Sequence, residues 1–123
     1  MTKSFTDLEQ SRKLAEILPL ESADQTWVRI AIDGVNLDVP EKLQYIHNGD
    51  MSTHYYRGIG IPCWSLAALL DVLPKVIDNE TLFIETSPAL WHIGYRNVYT
   101  ARADNPVDAC VEMINKLHEL NLL

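Results

Sequence analysis

Cysteine is scarce in this chain, with two in 123 residues, and neither Cys63 nor Cys110 has a Cys-x-x-Cys partner or a histidine-rich companion. Small secreted domains stapled by disulfides use far more of it, so a disulfide scaffold is excluded. Positive charge is short too: 10 Lys and Arg stand against 17 Asp and Glu, giving a net charge of −7 and a pI near 4.9. That balance opposes attachment to a phosphate backbone, so no direct nucleic-acid binding is expected. No apolar run approaches the ~20 residues a membrane-spanning helix needs. The opening MTKSFTDLEQSRKL is polar, without a signal-peptide core. The cytoplasm is the expected location, with no membrane partner. Phosphate-cradling patterns are missing as well, because Gly58-Ile59-Gly60 lacks the third glycine and the lysine. No G-x-S-x-G or H-E-x-x-H string occurs. There is no internal repeat and no low-complexity tract.

What is present is a packed core. An apolar share of 47% and three Trp residues argue against disorder, and the length suits a single domain over residues 1–123. The last helix is the clearest element. Asn105 offers a side-chain oxygen to the first turn, Pro106 suits the first helical position, and Asp108 adds charge near the positive helix end. Val107, Cys110, Val111, Ile114, Leu117 and Leu120 then recur at spacings of three and four, marking one buried face. Cys110 on that face reads as a buried, reduced thiol.

Upstream, Thr6 with Glu9 makes a capping-box pattern for a first helix to Leu18, with Leu8, Leu14, Ala15, Ile17 and Leu18 apolar and Pro19 ending it. Glu21 to Thr26 reads as a polar connector. Trp27 to Ile32 alternates as a strand, Asp33-Gly34 is a turn, and Val35, Leu37 and Val39 alternate after it, which together predict a hairpin. Pro40 to Tyr45 suggests a short helical turn, His47-Asn48-Gly49-Asp50 a loop, and Thr53 to Arg57 a strand. Pro62 to Pro74 predicts a second helix with Ser65 as N-cap and Leu66, Leu69, Leu70 and Leu73 as its buried stripe. Strands follow at Leu82–Glu85, Trp91–Tyr95 and Val98–Arg102, punctuated by Asp78-Asn79-Glu80, Thr86-Ser87-Pro88-Ala89 and Arg96-Asn97. The whole predicts an α+β fold: about three helices packed on a mostly antiparallel sheet of four to six strands, with the last helix across a meander.

Chemistry-bearing groups are few. Cys63, placed ahead of the second predicted helix, is a candidate nucleophile if His47, His54 or His92 approaches it, because a thiolate needs a nearby cation or a helix N-terminus. Packing as a small apolar residue between Pro62 and Trp64 is the favoured reading of it. His47, Asp50 and His54 form the one local ligand grouping, on a loop, and match no metal-site pattern. No catalytic, cofactor-binding or metal residues are assigned, and no cofactor is expected. Tyr55-Tyr56-Arg57 offers residue types favoured at protein–protein hot spots and is the expected partner-contact segment.

Three segments carry a resemblance: LAEILPLESAD (14–24), IPCWSLAALLDVLP (61–74) and NPVDACVEMINKLHELNLL (105–123). They resemble a group of small proteins encoded on phages and other mobile elements of gut anaerobic bacteria. In that group an xPxWSLAALLxVLP segment precedes a variable β region and an NPxDACxxMIxKLxExxLL segment closes the chain. The group has no assigned activity, so the resemblance implies only an accessory role in a mobile element. The expected function is a non-enzymatic protein-interaction domain whose partner is another protein or a second copy. A cysteine-dependent hydrolase or transferase using Cys63, and an acidic nucleic-acid mimic, remain as alternatives.

Overall fold

The computed structural model describes residues 3–42 and 60–123. The predicted loop at His47–Asp50, the predicted strand at Thr53–Arg57 and the end of the predicted helical turn lie outside the described residues. The chain divides into two compact groups, residues 7–65 and residues 1–6 with 66–123.

In the first group, α1 (Leu8–Ala15) and a short 3-10 turn (Leu20–Ser22) precede the hairpin strands β1 (Gln25–Ile32) and β2 (Val35–Lys42). The two-residue strand β3 (Pro62–Cys63) completes an antiparallel sheet in the order β2-β1-β3. The helix cap falls one residue later than Thr6. Asp7 accepts the Gln10 N–H at 2.8 Å, and the Gln10 side chain accepts the Asp7 N–H at 3.1 Å, while Thr6 is fully buried. Leu14 and Leu18 are buried as expected, but Ala15 is exposed and the helix ends there. Helix and sheet are joined by an indole: Trp27 Nε1 donates to the Ser11 hydroxyl at 3.0 Å. Trp64 Nε1 donates to Ser22 Oγ at the same distance. Each buried indole thus keeps a partner for its N–H.

The Asp33-Gly34 turn connects β1 and β2 with Ile32 opposite Val35. Both turn residues are left-handed, at φ 51° and 78°, which matches the right-handed twist of the strands they join. Burial along β1 follows position rather than face. Trp27 and Val28, on opposite faces, are both buried, whereas Arg29, Ile30 and Ala31 beyond them are exposed. Pro40 to Lys42 continue β2 instead of making the expected helical turn; Pro40 sits on an edge strand, where its missing N–H breaks no ladder bond.

The second group contains α2 (Leu66–Val72), β4 (Val76–Ile77), β5 (Glu80–Thr86), β6 (Trp91–Tyr95), β7 (Tyr99–Ala103) and α3 (Pro106–Glu119). The helix expected from Pro62 starts only at Leu66, because Pro62 and Cys63 pair with Thr26 and Gln25. Ser65 occupies the position before the helix, but its N–H and hydroxyl both donate to the Asp24 carboxylate. The α2 stripe is buried at Leu69 and Leu73 and half-buried at Leu66 and Leu70.

Strands β4 to β7 form an antiparallel meander in sequence order, with left-handed Asp78 and Asn79 turning β4 into β5. α3 lies on β6 and β7 and against α2. Its cap forms as the sequence dictates: Asn105 accepts the Asp108 N–H at 2.9 Å, with Pro106 at the start. Lys3 reaches Asp108 at 2.9 Å. Val107, Cys110, Val111, Ile114 and Leu117 are buried, joined by Ala109 and Met113, while Leu120 is exposed past the helix end. The fold class is therefore α+β. Among the described residues it has three α-helices and seven strands, and the strands divide over two antiparallel sheets. None of the described helices is long and apolar enough to cross a membrane.

Candidate binding site on the open face of the four-stranded sheet

Side chains alternate across a strand, so the face opposite α3 can be read from the buried one. Ile93 on β6 and Ala101 on β7 are paired and buried toward α3. Their neighbours therefore point away from the helix. Glu85, His92 and Arg102 form one row across β5, β6 and β7, and Phe83, Gly94 and Thr100 form the next. Gly94 makes this face concave. A Cβ built there would lie 2.2 Å from the Tyr99 carbonyl oxygen and 2.8 Å from Thr100 Cα, so β7 curls close over β6 only because no side chain intervenes. The tight hairpin between them is closed by Val98 N–H donating to the Tyr95 carbonyl at 3.0 Å, with Asn97 left-handed at φ 63°.

The result is an open depression of about 320 Å³, lined by Phe83, Glu85, His92, Arg96, Asn97 and Thr100. The Arg96 guanidinium lies 4.4 Å from the centre of the Phe83 ring and donates to Glu85 at 2.9 Å. Both partners of that ion pair are more than half or just half exposed, so it contributes well under ~1 kcal/mol to stability. It places the guanidinium over the Phe83 ring. His92 Nε2 lies 3.0 Å from the Ser87 hydroxyl. Arg102 is exposed and makes no hydrogen bond or ion pair among the described residues. Two arginines thus oppose one carboxylate on a face of a chain whose net charge is −7. This arrangement can accept hydrogen-bond acceptors carrying negative charge.

The residues singled out from the sequence fare differently. Tyr55, Tyr56, Arg57, His47 and His54 lie outside the described residues. Cys63 is fully buried in β3, three residues ahead of α2, and its thiol lies 3.6 Å from Gln25 Oε1. The helix N-terminus invoked to activate it begins at Leu66 instead. His92 belongs to the other compact group, where Ser87 is its partner. Cys110 is buried under α3 as expected, and desolvation pushes its thiol up to about 12. Among the described residues, no three His, Cys, Asp or Glu side chains gather as metal ligands. Phe83, Arg96 and Arg102 carry no functional signal in the sequence, since each is an ordinary strand or turn residue until register places them together.

Compared with known protein families, curated proteins and solved structures, the chain matches none.

Proposed function

We propose that this chain is a non-enzymatic protein-interaction domain that docks its partner on the open face of the β4–β7 sheet. One observation carries the reading: α3 covers one face of the sheet, while the other is a depression whose lining offers hydrogen-bond donors from Arg96, Asn97 and Thr100. The resemblance to small phage and mobile-element proteins supports an accessory role in such an element. The burial of Cys63 and Cys110 favours this over thiol chemistry.

The test is site-directed photo-crosslinking in the native host. A benzophenone amino acid at Thr100 should capture one protein, and Arg102→Glu in the same chain should abolish that capture. The same probe at Glu112, on the exposed side of α3, should capture nothing. Equal capture from both positions, or capture indifferent to Arg102→Glu, removes the reading.

A further inference from the structure

We infer that the partner presents an acidic segment, a short run of Asp or Glu side chains laid across β5, β6 and β7 of the open face. This rests on the reading above that the face is the docking surface, and it names what the face recognises.

The charge distribution argues for it. The chain as a whole repels an acidic ligand, with 17 acidic against 10 basic side chains. On this face the balance reverses: Arg96 and Arg102 stand against Glu85, with His92 between Glu85 and Arg102 in the same cross-strand row. Such a local reversal is a usable complementarity, because charges more than a Debye length away are largely screened.

The donors are also available. A guanidinium carries five N–H groups. Arg102 engages none of them among the described residues, and Arg96 engages one, with Glu85. Carboxylates match that planar fork in two-point contacts. Arg96 lies over the Phe83 ring, a contact that favours one orientation of its fork and lowers the ordering cost of capturing a carboxylate. The Asn97 amide and the Thr100 hydroxyl, both exposed at the rim, add neutral donors.

The depression suits a peptide better than the other anions. It is widely open, so it admits one or two acidic side chains without walling off a small molecule from solvent. Single-stranded nucleic acid is commonly held by bases stacked on free aromatic rings, and here the Phe83 ring is occupied by Arg96.

Amide chemical-shift titration of the full chain provides the test. The probes are a capped hexapeptide of alternating Asp and Glu, its Asn/Gln counterpart, and an oligothymidylate. The acidic peptide should shift amides of Phe83–Glu85, His92–Gly94 and Arg96–Arg102 saturably, and weaken with salt. Arg102→Gln should weaken it roughly fivefold, and Arg96→Gln with Arg102→Gln more than tenfold. Both side chains are exposed, so the variants should keep the wild-type spectrum elsewhere. Equal binding of the Asn/Gln peptide, tighter binding of the oligothymidylate, or indifference to Arg102→Gln would overturn the inference. Failure of the acidic peptide alongside Arg102-dependent capture at Thr100 overturns the acidic segment alone. Failure of both overturns the docking face as well.

Discussion

Gly94 shows how one missing carbon shapes the candidate site. Its absent Cβ would stand 2.2 Å from a backbone oxygen, and no rotamer change relieves a clash with main chain. Gly94→Ala must therefore push β7 away from β6, beneath α3, at about 2–4 kcal/mol, read as a shift in urea midpoint with an unchanged slope. A midpoint within experimental error of the wild type would mean that β7 yields freely. The two cysteines make a second residue-scale prediction. Both are fully buried, so neither should react with a thiol-specific reagent at neutral pH until denaturant is added. Rapid native labelling of Cys63 would reinstate the enzymatic alternative. The same scale explains why the site was illegible in sequence. Arg96 and Arg102 look like scattered surface charges until the pairing of His92 with Arg102 and the stacking on Phe83 are known. Tyr55, Tyr56 and Arg57, chosen from sequence as residue types favoured at hot spots, lie outside the described residues.

Elements were legible where the determinants are local. Asn105-Pro106, the acid at position 108 and the apolar stripe lie within one segment, and α3 formed where they pointed, with its cap bond in place. Asn105→Ala should cost about 1 kcal/mol by removing that bond, and Asn105→Ser should restore most of it, both measured by urea unfolding. The Asp33-Gly34 hairpin is equally local. A side chain at Gly34 meets nothing within 4 Å, so Gly34→Ala should cost only the strain of a left-handed Ala, about 1 kcal/mol. Where pairing is distant, local signals mislead. Pro62 and Cys63 look like the first residues of a helix, yet they form a strand because Gln25 and Thr26, far earlier in the chain, supply its partner. Pro40 likewise joined β2 as an edge residue. The division of seven strands into two sheets follows from such pairings, and no local propensity encodes it.

At the scale of the whole molecule, two buried groups, Cys110 and Tyr95, tie stability to alkaline pH. Desolvation raises Cys110 from 9.0 to about 12 and Tyr95 from 10.0 to about 12, and the Tyr95 hydroxyl also donates to the Pro74 carbonyl at 2.6 Å. In each case the native fold favours the protonated form, so their stabilisation is fully present below the unfolded-state values. As pH rises past about 9 the unfolded chain loses the Cys110 proton first, and past about 10 the Tyr95 proton, while the native state retains both. Fewer protons on the unfolded chain means stability falls with pH. The slope approaches about 1.4 kcal/mol per pH unit for each group, nearly double where the windows overlap. The growing negative charge on a chain already at −7 acts in the same direction. Urea unfolding at stepped pH should therefore show a plateau up to about pH 9 and a steepening decline above it. Cys110→Ala, which has no proton to lose, should make the decline above pH 9 shallower. An unchanged decline in that variant would assign the alkaline loss to groups other than the Cys110 thiol.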